Sequence, residues 1–261
     1  MERRSNGRVA LVTGSGRRRV GNRIAGWLAD RGYSIALHYH SSAEAAEECV
    51  EAMRSAGVDC EALKADVAQE SDVEAMFAAV MKRFGRLDAL VTTASIWETK
   101  LLEDVTADDV RRNFDVNALG TFLCARRAGL IMTRQPEGGA IVTIGDWAIE
   151  RPYLDHSAYF LSKGAIPTLT RSLAVELAHR NPKVRVNCIH PGPVMFPSQA
   201  SEEERREMVE STLVKQANCP ESVCRAVDFF LENDFVTGVC LAVDGGRTIF
   251  APESISRTRP I

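Results

Sequence analysis

Tyr159 and Lys163 stand four residues apart in Ala158-Tyr159-Phe160-Leu161-Ser162-Lys163, inside a stretch with helical spacing. At that separation both side chains project from one face of a helix. A phenol ordinarily titrates near ~10, too high for easy proton exchange at neutral pH. A neighbouring ammonium favours the phenolate and lowers that value, which makes Tyr159 a candidate general acid and base. Such pairs are commonplace on helices, so this one takes chemical meaning only from its surroundings.

A second candidate lies near the amino end. The apolar run Val9-Ala10-Leu11-Val12-Thr13 leads into Gly14-Ser15-Gly16-Arg17-Arg18-Arg19-Val20-Gly21, and a helical pattern follows. Glycines let a chain turn sharply and approach a pyrophosphate, while a helix amino terminus offers free N–H groups and a positive dipole. The spacing is not G-x-G-x-x-G, and a plain strand-to-helix connection is the competing reading. The end of the second apolar run then discriminates between nucleotides. An acidic residue there holds the ribose 2′-hydroxyl of NAD. Here the run ends Leu37-His38-Tyr39-His40-Ser41-Ser42, with no carboxylate before Glu44. The guanidinium groups of Arg17, Arg18 and Arg19, with the hydroxyls of Ser41 and Ser42, suit a 2′-phosphate, so the expected cofactor is NADP(H). Solvated loop arginines are the alternative.

These groups need a scaffold. Short apolar runs at Arg8–Thr13, Ser34–Tyr39, Val58–Ala65, Ala89–Thr92, Ala140–Ile144, Val184–His190 and Val239–Val243 read as strands buried on both faces. Helical spacing fills the gaps at Ile24–Asp30, Ala43–Ala56, Ser71–Phe84, Ala107–Met132, Ala158–His179 and Pro220–Glu232. Ser71 and Glu74 have the spacing of a capping box at one helix start. Strands alternating with helices imply right-handed crossovers and a doubly wound α/β Rossmann fold. Its sheet has seven parallel strands, with helices on both faces. No composition shift divides the chain, so residues 1–261 are read as one domain. The proline-broken, then highly charged segment at about 193–217 is the expected substrate loop, although a mere surface excursion would look similar.

The glycine turn, Asn117 in Val116-Asn117-Ala118-Leu119-Gly120, Tyr159-x-x-x-Lys163, Asn187-Cys188-Ile189-His190-Pro191-Gly192-Pro193 and Val243-Asp244-Gly245-Gly246 occur in one order on one chain. Together they resemble the short-chain dehydrogenase/reductase family from Val9 to Gly246. The resemblance implies that Tyr159 donates the proton and that Lys163 binds the nicotinamide ribose and tunes the phenol. It also implies that Asn117 positions a relay water and that Asp66 contacts adenine. By the same resemblance Val67, Thr93, Ala94, Ser95, Pro191, Gly192 and Val194 join His40 and the glycine turn as cofactor contacts. Trp97 and Trp147, near the carboxyl ends of the fourth and fifth strands, are expected to flank a flat substrate ring, with ordinary core or rim packing as the alternative. Pro193 is expected to face the substrate.

Three departures narrow the match: Arg19 replaces a glycine in a turn one residue longer, Thr92-Thr93-Ala94-Ser95 replaces Asn-Asn-Ala-Gly, and the position thirteen before Tyr159 holds Asp146 where the family has serine. Serine donates a hydrogen bond, whereas an ionised carboxylate only accepts. That aspartate, the turn arginine and the His-Tyr-His-x-Ser run resemble pteridine reductases, although Ser41 stands where those enzymes carry arginine. The expected substrate is therefore a planar imine or pterin-like ring. A carbonyl reductase of the 3-oxoacyl carrier-protein type and a non-catalytic nucleotide-binding protein remain the alternatives. The resemblance further implies a homotetramer pairing through the helices at 107–132 and 158–179, with the tail at 251–261 in an interface or frayed.

Composition excludes other classes. Hydrophobic residues at 45% and charged residues at 26% argue against disorder, and a net charge of −3 lacks the basic surplus of a nucleic-acid binder. No ~18-residue apolar run suits a membrane span, and the amino terminus lacks a signal peptide's apolar stretch. Seven cysteines never spaced C-x-x-C suggest thiols in a reducing, cytoplasmic compartment. Neither they nor His38 and His40 show metal-ligand spacing, and no metal is expected. His156 reads as a solvated loop residue.

Overall fold

The apolar runs fold as parallel strands whose carboxyl ends share one rim. The computed structural model describes residues 7–250. Its strands are β1 (Val9–Thr13), β2 (Ser34–Tyr39), β3 (Cys60–Lys64), β4 (Ala89–Thr92), β5 (Gly139–Ile144), β6 (Val184–Pro191) and β7 (Cys240–Val243). All pair in parallel in the order β3-β2-β1-β4-β5-β6-β7. Every residue of β1 and β4 is buried, because helices cover both faces of the central strands. One apolar cluster joins Leu11, Leu90 and Ile141 to Phe77, Met132 and Leu177, and the other joins Val12, Val91 and Val142 to Leu28 and Phe230. The chain leaves β1 in one direction for β2 and reaches β4 on its other side. That reversal opens the crevice where doubly wound sheets bind ligands.

The helices are α1 (Val20–Ala29), α2 (Ala43–Ser55), α3 (Glu70–Phe84), α4 (Ala107–Asn113), α5 (Gly120–Met132), α6 (Ser157–Arg180), α7 (Glu202–Glu210) and α8 (Pro220–Glu232). Among the described residues no helix is long and apolar enough to cross a membrane. The expected continuous helix over 107–132 is interrupted. Phe114–Leu119 forms a wide π-turn between α4 and α5, a local distortion often found at functional sites. Helix α1 begins at Val20, four residues earlier than its apolar periodicity suggests, because its first turn packs polar and glycine residues against the rim. The expected capping box at Ser71 does not form. Gln69 precedes α3 without a side-chain cap, and Glu74 instead pairs with Arg127 at 2.8 Å. True capping boxes start α4, through Thr106 and Asp109, and α7, through Ser201 and Glu204. The charged insert thus contains a helix of its own, tied back where the Leu213 and Val214 amides bond Gly245 O. The tail at 251–261 lies outside the described residues.

Candidate active site

The glycine turn is fixed by three neighbours. Gly14 has φ +66°, and a Cβ there would lie 2.8 Å from the Ala94 backbone; one on Gly16 would lie 2.7 Å from Tyr39 Cβ. Only glycine permits both the left-handed conformation and these approaches. Thr13 Oγ1 accepts from the amides of Thr93 and Ala94 at 3.0 and 3.2 Å, which ties the end of β4 to the end of β1. His38 completes the clasp. Its Nδ1 accepts from the Gly14 amide at 2.9 Å, so Nε2 carries the proton toward Ala65 O at 3.1 Å. Burial, partly offset by the bond to Ala65, pulls its pKa below the ordinary value. In the sequence His38 stands only as part of the His-Tyr-His-x-Ser run and as an unsuitable metal ligand, with no sign of this clasp.

What the turn leaves free suits a dinucleotide. Helix α1 starts after Arg19 with no side-chain cap and no acidic residue in its first turn, leaving amide donors and the dipole to an anion. Arg17, Arg18, Arg19, His40 and Ser41 are exposed on this rim, and Ser42 Oγ would lie 3.2 Å from a Cβ on Gly16. Asp66 and Val67 follow β3. The Asp66 carboxylate accepts from the Ala68 amide at 3.0 Å, and Val67 packs where a Cβ on Gly120 would collide with it. Pro191, Gly192, Pro193 and Val194 leave the end of β6, with the Gly192 amide bonded to Val243 O at 3.0 Å.

The candidate proton-transfer residues come together between β5 and α6. Tyr159 donates to Asp146 Oδ2 at 2.6 Å. Asp146 Oδ1 accepts from the Ala148 amide at 2.8 Å, capping a short 3₁₀ turn over Trp147–Ile149. Burial, then the Asp146 charge and bond, push the Tyr159 phenol far above its ordinary range. The expected lowering by Lys163 is therefore corrected: its Nζ lies 5.9 Å from the ring centroid, while the carboxylate sits against the hydroxyl. Lys163 is itself buried, donates to Ile144 O at 2.9 Å, and is pulled below the usual lysine range by desolvation. That single bond leaves ammonium protons for a further acceptor.

Asn117 sits in the π-turn, buried and fully bonded. Its Oδ1 accepts from the Ile96 amide (2.8 Å) and Ser95 Oγ (3.0 Å), while Nδ2 donates to Ile96 O (3.0 Å) and Ser162 Oγ (2.9 Å). The amide thus fastens the segment after β4 to α6. Beside it lies an aromatic shelf. Trp97 stacks on His156 with ring centroids 4.6 Å apart and donates to Tyr153 Oη at 3.0 Å. Tyr153 stacks at 6.2 Å on Trp147, and the Arg247 guanidinium lies 4.4 Å from the Trp147 ring centroid. His156 is not solvated. It is buried between Leu154 O and Thr99 Oγ1, at 2.8 and 3.2 Å. Tyr153 and Arg247 carried no sequence signal, because their positions depend on how two loops meet.

Comparison with known proteins places this arrangement. A family described as Enoyl-(Acyl carrier protein) reductase matches residues 15–248. The uncharacterized oxidoreductase YgfF of Escherichia coli is 36% identical, over 92% of this chain and 99% of its own. Versicolorin reductase 1 of Aspergillus parasiticus is 34% identical, over 93% and 97%. The chain belongs to the short-chain dehydrogenase/reductase family. It is an oxidoreductase of a family that uses NAD(P) nucleotides. Tetrahydroxynaphthalene reductase of Pyricularia oryzae is 32% identical, over 92% of this chain and 89% of its own. A dehydrogenase/reductase structure from Sinorhizobium meliloti superposes with a TM-score of 0.84 at 32% identity, covering 94% of this chain and 96% of that one.

Proposed function

We propose that this chain is an NADPH-dependent reductase of a planar, nitrogen-containing substrate such as a pterin or another cyclic imine. The observation that carries the reading is the 2.6 Å bond from Tyr159 to Asp146. While the phenol donates there, its proton is committed to the carboxylate. A ligand bringing its own N–H donor can replace the phenol at Oδ2 and free that proton for the substrate. A simple ketone brings none, and its oxygen gains negative charge beside an acceptor-only carboxylate. The raised phenol value keeps Tyr159 protonated at neutral pH, as a proton donor in reduction must be.

The uncapped start of α1, the cluster Arg17–Arg19 and Ser41–Ser42 would hold the adenosine phosphates, and Lys163 the nicotinamide ribose. When bound, the dinucleotide supplies the hydride. Lys163 offers its unused donors to ribose hydroxyls, while Asn117 holds the loop carrying Ser95 and Ile96. The shelf of Trp97, Tyr153 and Trp147 supports a flat ring. A second reading has a specific support: the same shelf and carboxylate suit a planar ketone bearing phenolic O–H donors, and one relative is named for reducing a hydroxylated naphthalene. Steady-state rates with NADPH on a dihydropterin, a hydroxylated aromatic ketone and a 3-oxoacyl thioester test both. Turnover confined to the thioester would overturn them.

A further inference from the structure

Two cysteines and a histidine separated by as many as fifty-two residues in sequence converge under α6. Cys188 and His190 alternate on β6 and therefore share a face, and Cys240 on β7 is the direct parallel partner of Cys188. Their ligand atoms all lie within 4.8 Å of one another, the one such group among the described residues. Cys188 and His190 are buried, and Cys240 is half-buried on the edge strand. No linear spacing announced this group, because the strand pairing brings it together.

We propose that Cys188, His190 and Cys240 bind a thiophilic divalent cation of the Zn²⁺ class, clasping β6 to β7. Tetrahedral coordination with metal–sulfur bonds of ~2.3 Å and a metal–nitrogen bond of ~2.05 Å places sulfur and nitrogen about 3.6 Å apart. Cys188 Sγ and His190 Nε2 are 3.6 Å apart already. The histidine has the orientation a ligand needs. Its Nδ1 lies 2.8 Å from Asp146 O, and a carbonyl only accepts, so Nδ1 carries the proton and Nε2 keeps its lone pair for the thiols' side. A backbone carbonyl on the outer nitrogen is a recurrent partner of metal-bound imidazole. Arg171 Nη1 lies 4.0 Å from Cys240 Sγ, on the exposed side of the group. Binding exchanges two thiol protons for the cation, and both protons pass to buffer. The fourth position belongs to water or an exogenous donor. Through Asp146 O the clasp also anchors the loop that carries the Tyr159 partner.

The probe is Co²⁺, added to reduced, chelator-treated protein. One equivalent should bind with a thiolate-to-cobalt charge-transfer band and tetrahedral visible bands. It should release two protons, raise the melting temperature, and be displaced by Zn²⁺. Cys240→Ser and His190→Asn, each checked for folding by circular dichroism, should each weaken binding at least tenfold. A band unchanged in both variants would place the metal elsewhere and overturn the proposal. So would absence of Co²⁺ uptake by the reduced wild type. If peroxide then lowered the free thiols from seven to five through a Cys188–Cys240 disulfide, the pair would be a thiol switch instead.

Discussion

Replacing Asp146 with serine should exchange one substrate preference for another. Serine is as good a cap as aspartate for the Trp147–Ile149 turn, so the bond to the Ala148 amide has a replacement acceptor and the fold should survive. What disappears is the carboxylate 2.6 Å from the Tyr159 hydroxyl. A substrate oxygen bonded to that hydroxyl would stand roughly 4 Å from the carboxylate, where unit charges interact by about 4 kcal/mol at an effective dielectric of ~20. With about half a charge developed, the repulsion is ~2 kcal/mol, so kcat/KM on a simple ketone should rise about 30-fold. A nitrogen-rich ring would lose a charge-assisted acceptor worth about 1.5–3 kcal/mol and fall ~10- to 150-fold. The assay follows NADPH absorbance on one ketone and one dihydropterin, with wild type and Asp146→Ser side by side. Parallel losses on both substrates would refute the reasoning and leave a general reductase.

NADPH should bind at least tenfold more tightly than NADH, about 1.4 kcal/mol, and Ser41→Asp should erode the preference; equal affinities in a fluorescence titration would contradict the assignment. His38 gives a pH signature: its folded pKa lies below the ordinary 6.5, so between the two values the unfolded chain binds more protons. Its contribution is therefore complete above about 6.5 and lost as pH falls through the folded value. His38→Asn keeps an acceptor for the Gly14 amide without titrating, so melting curves should show a flatter acid limb, and identical limbs would exclude His38 as the cause. We also propose a homotetramer, supported by exposed apolar Phe122 on α5 and Leu161 and Val175 on α6; light scattering giving a monomer mass would reject it.

Much of this was legible because parallel strands announce themselves as unbroken apolar runs. All seven strands occur, with ends differing by at most two residues, and α2, α6 and α8 lie within one residue of their helical spacing. The π-turn at Phe114–Leu119 was not legible: α4 and α5 are each periodic, and the register change between them follows from seating Asn117 against Ile96 and Ser162. The Ser71–Glu74 spacing misled for a related reason, since the neighbouring Arg127 on α5 competes for Glu74. At the site, Tyr159 and Lys163 were candidates from their spacing and Asn117 and Asp146 from the family resemblance, and the structure brings Tyr159, Lys163 and Asp146 together between β5 and α6. The partner of Tyr159 could not. A lysine four residues away suggests a lowered phenol, but only the packing of β5 on α6 shows that the carboxylate faces the hydroxyl. Tyr153, Arg247 and the Cys188–His190–Cys240 group depend on loops and strand pairing that one-dimensional spacing does not encode.

The most direct test of the account is Tyr159→Phe, measured for NADPH affinity and turnover in the same preparation. Removing the hydroxyl keeps the ring against Phe160, so binding should change little. Turnover should fall by roughly 10²–10⁴, the usual worth of general acid catalysis. Near-normal turnover with intact NADPH binding would contradict the assignment of Tyr159 as the proton donor.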